Sequence, residues 1–100
     1  YFNYVDLCRK EGINVPIIPG LKIITSLSQA YNIPKNFFVD IPTEFVEELK
    51  SAKPEHATEV GVNWAFKQIE ELMNKNVPAI HFYIMQNSNP FKMLMKKLGL

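Results

Sequence analysis

The chain has 100 residues, enough for one small domain, and 47% hydrophobic and 21% charged residues are ordinary for a globular protein. A formal net charge of +1 gives no large basic or acidic excess, so neither nucleic acid nor a membrane is an expected partner. A single cysteine, Cys8, excludes an internal disulfide framework, and no apolar run approaches the roughly 20 residues that cross a bilayer, so we expect a cytoplasmic protein.

The first part of the chain predicts a helix followed by a strand. Apolar residues recur at helical spacing over 2–11, and Gly12 marks the end of that helix. A short β-branched run over 13–18 is closed by Pro19 and Gly20. This run predicts a buried strand with a turn at its C-terminal end.

The middle of the chain predicts three helices. Ser26, with Gln29 three residues later, fits a capping box at the start of the first, and Pro34 predicts its end. A second helix is predicted over about 42–50, and a third, longer one runs from Pro54 to about residue 75.

The last part of the chain predicts a second strand over 77–85 and a final helix from about Pro90 to Gly99. Strands that alternate with helices favour an α/β fold with a parallel sheet. Two parallel strands cannot cover both faces and both edges of a sheet, so the pattern predicts the last two β/α units of a (β/α)8 barrel, with 1–100 as the C-terminal portion of one barrel domain. The start at Tyr1, which is not a methionine, fits a processed chain or a piece of a longer one.

Three segments resemble the methylenetetrahydrofolate reductase family: residues 12–22, which contain Pro-Ile-Ile-Pro-Gly, the single position Gln29, and residues 77–83, which contain His-Phe-Tyr. The stretches 39–42 and 59–65 are also similar to the family. The resemblance covers almost the whole chain. Each of these motifs is short, but in this order and at this spacing they form a fairly specific signal together.

The resemblance implies a flavin-dependent enzyme in which NADH or NADPH reduces bound FAD. The reduced flavin then passes a hydride to 5,10-methylenetetrahydrofolate and yields 5-methyltetrahydrofolate. The family's catalytic glutamate and nearly all of its FAD contacts would lie upstream of Tyr1, so no catalytic residue is assigned here. The implied partners are the folate substrate, the remainder of the barrel and further copies in a homo-oligomer, and we expect this chain alone to be inactive.

The resemblance assigns two substrate-binding positions. Gln29 matches a glutamine that contacts the folate, although it also suits the capping box with Ser26. Asn87 lies where many members carry a substrate-binding arginine, and the alternative is a polar loop residue near the cap of the last helix. Ile23 and Ile84 also depart from the family, which usually has proline and threonine there.

Side chains alternate along the second strand, so its two faces should differ. We expect Ile80, Phe82 and Ile84 to face the outer helices. The other face, with His81, Tyr83 and Met85, should point to the barrel interior, with Met85 nearest the rim of the site. A hydrogen-bonded interior position is expected for His81 rather than a metal ligand, because no second ligand has a suitable spacing.

Two alternatives to the reductase remain open at this point. One is a truncated, non-catalytic homologue that acts as a small α/β interaction piece. The other is a different FAD-binding barrel, such as a proline dehydrogenase, which fold alone would not distinguish.

Overall fold

The computed structural model describes residues 1–37, 41–84 and 87–100. In order, the elements are α1 (Phe2–Lys10), β1 (Gly20–Leu21), α2 (Leu27–Phe37), α3 (Thr43–Ser51), a 3-10 helix (Pro54–His56), α4 (Ala57–Asn74), β2 (His81–Phe82) and α5 (Asn89–Lys97). The predicted order of helix, strand, three helices, strand and helix is confirmed.

The two strands pair in parallel, with Gly20 opposite His81 and Leu21 opposite Phe82. The pairing begins with the His81 N–H, which donates to the Pro19 carbonyl at 2.9 Å. The described part of the chain is therefore an α/β structure with mostly helices and a small parallel sheet. This confirms the predicted α/β class and the parallel direction of the strands.

Both strands are much shorter than predicted. The segment 13–18 precedes β1, and its apolar side chains Ile13, Val15 and Ile18 are 45%, 63% and 51% exposed, so the prediction of a buried strand there is wrong. A strand needs hydrogen-bonded neighbours and covered faces. In the described structure β1 pairs with β2 alone, over two residues, so the segment before it has no partner that would extend the strand. The predicted strand 77–85 likewise narrows to β2, and its last position, 85, lies outside the described residues.

Helix α2 continues through Pro34 to Phe37, so the predicted end at Pro34 is wrong. Proline's fixed φ is itself helical, and what it removes is one backbone N–H to the preceding turn. That loss falls near the end of the helix, where few further hydrogen bonds depend on it.

Helices α4 and α5 pack against the sheet to form the first of two apolar clusters. Ile69 of α4 is 1% exposed and Leu94 of α5 is 0% exposed. Ile80 and Phe82 contact this cluster, which confirms the predicted outward face of the second strand at those two positions. The buried members of the cluster are Leu21, Val62, Ala65, Ile69, Leu72 and Leu94.

The second cluster joins α2, α3 and the beginning of α4. The Trp64 ring packs on Phe45 at 4.9 Å between centroids, and its Nε1–H donates to the Glu48 carboxylate at 2.7 Å. The buried members are Ile24, Ala30, Phe45, Leu49, Ala57 and Val60. Across the described ranges, none of the helices has both the length and the apolar character that a bilayer crossing demands.

Candidate functional site

Gln29 occupies the first turn of α2, directly after the loop that leaves β1. The backbone N–H of Gln29 donates to the Ser26 hydroxyl oxygen at 3.2 Å, as expected for a residue at the third helical position. Its side-chain Oε1 accepts the Thr25 N–H at 2.9 Å and lies 3.4 Å from the Thr25 hydroxyl. The predicted capping box is therefore present, but its reciprocal bond goes to Thr25 instead of Ser26.

These contacts fix which end of the Gln29 amide is used. A backbone N–H can only donate, so the atom that faces the Thr25 nitrogen must be the amide oxygen. The nitrogen Nε2 keeps two N–H donors, and no described residue accepts a hydrogen bond from them. Among the described residues, Gln29 is thus a capping residue whose two Nε2 hydrogens have no acceptor, and its side chain is half-buried.

Asn87 precedes α5 and is tied to that helix. Its Oδ1 accepts the Asn89 backbone N–H at 3.0 Å, and the residue is exposed. This is the local role that the alternative interpretation predicted, a polar loop residue at a helix start. The Asn87 side chain carries no charge, so it cannot form the charge-assisted pair that an arginine would form with a carboxylate.

Gln29 and Asn87, which are far apart in sequence, line one cavity of about 320 Å³. It lies where β1 and β2 end and the loops to α2 and α5 begin, and its volume falls at the low end of ordinary ligand pockets. Ile23 and Ile84, the two positions expected to depart from the family pattern, also line it. The remaining lining residues are Leu21, Lys22, Thr25, Phe82, Tyr83, Pro90 and Phe91.

Ile84 was expected to face the outer helices with Ile80 and Phe82, and that expectation is wrong. It is 43% exposed and lines the cavity, because β2 pairs only over His81 and Phe82 and strand alternation is not maintained beyond them. The prediction assumed that the alternation of a regular strand continues to residue 84, but the pairing of β2 ends at Phe82.

His81 of β2 and Tyr83, which directly follows the strand, pack against each other. Their rings meet edge to face at 4.6 Å, and both residues are exposed, so the described structure does not make His81 an interior residue. The Tyr83 ring covers Gly20, where an added Cβ would come within 2.6 Å of it. Among the described residues no three His, Cys, Asp or Glu side chains group as metal ligands.

A second cavity, of about 500 Å³, is lined by residues of β1 and of the helices α1, α2, α3 and α4. Its walls include Phe2, Ile33 and Phe45, which are parts of the two apolar clusters, and it contains none of the predicted site residues. We therefore take the cavity that holds Gln29 and Asn87 as the candidate site.

The family resemblance predicts the two polar positions of the site, but it does not predict Thr25, the residue that holds one of them. Thr25 fixes the Gln29 amide through its backbone N–H, which every residue other than proline could supply. No signal in the side-chain pattern could have indicated it.

Comparison with known proteins identifies the chain's relatives. A sequence profile described as methylenetetrahydrofolate reductase matches residues 1–99. The chain is similar to methylenetetrahydrofolate reductase 1 of Schizosaccharomyces pombe, with 31% identity over 102 residues, and to 5,10-methylenetetrahydrofolate reductase of Escherichia coli, with 27% identity over 101 residues. A probable methylenetetrahydrofolate reductase (NADPH) of Caenorhabditis elegans is 29% identical over 100 residues.

These alignments take in 100%, 99% and 97% of this chain, in that order, but 17%, 34% and 15% of the relatives. The chain thus spans about a third of the bacterial relative and about a sixth of the other two. Because the profile match runs over nearly every residue, the chain belongs to the methylenetetrahydrofolate reductase family.

Proposed function

We propose that this chain is part of a flavin-dependent reductase that converts 5,10-methylenetetrahydrofolate to 5-methyltetrahydrofolate with NADH or NADPH. The observation that carries the proposal is the cavity at the ends of the two parallel strands, which brings Gln29 and Asn87 together. Family membership supports the reaction, and the half-buried Gln29 amide supports a place for the folate.

We further propose that residues 1–100 form the last two β/α units of one (β/α)8 barrel domain. Barrel enzymes build their sites at the C-terminal ends of the strands, which is where the cavity lies. Val15 and Ile18 are more than half exposed, and neighbouring strands and helices of a barrel would cover them. We expect the complete protein to be cytoplasmic and homo-oligomeric.

The cavity suits part of a folate. A pterin is planar and carries donors and acceptors on its edge, so an amide with two remaining N–H donors can bind one of its acceptors. Gln29 supplies that amide, and Tyr83 and Phe91 supply aromatic surface. In this proposal the residues of the chain bind and orient the folate and exclude water from one side of it.

The residues that line this cavity do not fit FAD. Its diphosphate needs a cradle of backbone N–H groups or several cations, and Lys22 is the one cation among the residues that line this cavity. FAD supplies the hydride chemistry when it is bound, and we propose that the upstream part of the protein holds it. The catalytic residues are proposed to lie there as well.

Family membership favours the reductase over a different flavin barrel such as a proline dehydrogenase. A non-catalytic homologue would share the family's sequence but not its activity. The two can be separated by experiment at Gln29, because only the enzyme requires a folate there.

The experiment is Gln29→Ala in the complete protein. We expect the KM for 5,10-methylenetetrahydrofolate to rise about tenfold, since one hydrogen bond to the substrate is lost. The matched control is Ser26→Ala, which removes the hydroxyl that caps α2 but leaves the Gln29 side chain in place. It should cost about 1 kcal/mol of stability and leave KM unchanged.

If both variants lose similar stability and keep the parent KM, Gln29 serves only as a cap and the proposed folate contact is wrong. A complete protein without any reductase activity would instead favour the non-catalytic homologue.

A further inference from the structure

Gly61 lies in the middle of α4, where a glycine is less favourable than alanine. The loop between β1 and α2 presses against it: a Cβ added at Gly61 would overlap the Ile24 carbonyl oxygen and come within 2.8 Å of the Ile24 carbonyl carbon. Its neighbours Val60 and Val62 are buried, so the helix cannot simply turn this face away. The absent side chain is what allows the helix and the loop backbone to meet.

The group that Gly61 contacts also holds Gln29. The Ile24 carbonyl and the Thr25 N–H belong to one peptide unit, which is planar, and its oxygen and hydrogen point in opposite directions. One end of this rigid unit rests on Gly61, and the other donates to the Gln29 Oε1 at 2.9 Å. A shift at the oxygen end must therefore move the N–H end.

We infer that Gly61 is a positioning residue for substrate binding, which acts on the Gln29 amide through the Ile24–Thr25 peptide. The inference rests on the proposed function, because it assumes that Gln29 contacts the folate. A methyl group at position 61 displaces the peptide, weakens the Thr25 hydrogen bond to Oε1 and releases the amide from the orientation that presents its donors. Substrate binding then loses a preorganised contact although Gly61 lies in a packed helix and touches no substrate.

A purely structural role for Gly61 would have a different signature. Poor packing of α4 would lower stability and would affect the enzyme whether or not Gln29 was present. If Gly61 acts through Gln29, the effects of Gly61→Ala and Gln29→Ala on KM must be non-additive. Once the Gln29 amide is removed, Gly61→Ala has no substrate contact left to disturb.

The test is a double-mutant cycle in the complete protein with Gly61→Ala, Gln29→Ala and both together, followed by the KM for 5,10-methylenetetrahydrofolate and by kcat. We expect Gly61→Ala alone to raise KM about fivefold, within the range that one weakened hydrogen bond gives, with a much smaller change in kcat. In the Gln29→Ala background it should change KM by less than about twofold. The control is Val62→Ala, which damages the first cluster from the adjacent position and should lower the melting temperature without raising KM.

The inference is overturned if Gly61→Ala raises KM equally in both backgrounds, or if it leaves KM unchanged while Gln29→Ala raises it. An unchanged KM in Gln29→Ala itself would mean that the proposed folate contact has failed, and the inference with it, which is a distinguishable result. If Gly61→Ala does not fold, Thr25→Pro removes the N–H end of the same peptide without changing a residue of α4. It should raise KM about fivefold in the Gln29 background only, as the loss of that hydrogen bond would, and no rise there overturns the inference.

Discussion

The two strand–helix units of the molecule have the same layout but hold their polar residues differently. In the first unit, β1 leads to α2 and Gln29 is half-buried, with its amide oxygen fixed by a loop that rests on α4. In the second, β2 leads to α5 and Asn87 is exposed, with its amide oxygen committed to the helix that follows. The same place in the topology therefore does not give the same capacity to bind a ligand.

The helices of the two units also differ in how firmly they are anchored. Helix α5 inserts Leu94, which is fully buried, into the cluster beneath the sheet. Helix α2 buries Ala30 and contacts its own cluster through the half-buried Ile33. The helix of the second unit is thus packed more tightly, whereas the first unit has the polar side chain, Gln29, whose amide is fixed by a hydrogen bond from the loop.

The largest expected effect comes from this difference in packing. Leu94→Ala should lower the free energy of unfolding by about 3 kcal/mol, because it leaves a cavity in a fully buried site, and Ile33→Ala should cost about half as much. Denaturant unfolding of the complete protein measures both. Equal losses would mean that the two helices are anchored alike.

A smaller effect is expected from placing an arginine in the second unit, at the position where the family resemblance predicts one. Asn87→Arg should lower the KM for a folate that carries glutamate carboxylates by about fivefold, since a charge-assisted pair becomes available. Asn87→Gln is the matched control, because it lengthens the side chain without a charge. An unchanged KM in the arginine variant would place the substrate's carboxylates away from this end of the cavity.

The smallest effect is expected from removing the Asn87 side chain. Asn87→Ala loses the acceptor for the Asn89 N–H and should cost about 0.5–1 kcal/mol, as for a weak helix cap, with KM unchanged. Melting temperature and steady-state kinetics are the measurements. A KM that rises as much as in Gln29→Ala would show that the two units contribute equally and would remove the contrast between them.

Local patterns predicted the helices, because a helix forms its hydrogen bonds within its own segment. The three-and-four spacing of apolar residues in the long helix also predicts one packed face, with Val62, Ala65, Phe66, Ile69, Leu72 and Met73. All of these contribute to the first cluster except Met73, which is 61% exposed. The strand over 13–18 was not predicted correctly, since pairing depends on segments distant in sequence, and the pattern cannot say which of them are present. The predicted end of a helix at Pro34 was wrong for a related reason, because the effect of a proline on a helix depends on how many turns follow it.

The candidate site was predictable where a side chain carries the chemistry. Gln29 and Asn87 were identified by family resemblance, and the structure places both on one cavity. The parts played by Thr25 and Gly61 were not predictable, because they come from a backbone N–H and from a missing Cβ. A glycine within an apolar helical pattern indicates a close approach but does not say which backbone makes it.

The most direct test of the account is an assay of the purified native gene product for reduction of 5,10-methylenetetrahydrofolate with NADH and with NADPH, together with its visible spectrum. We predict a bound oxidised-flavin spectrum and formation of 5-methyltetrahydrofolate with at least one of the two nicotinamides. A folded product that binds no flavin and forms no 5-methyltetrahydrofolate would contradict the proposed function and leave a non-catalytic member of the family.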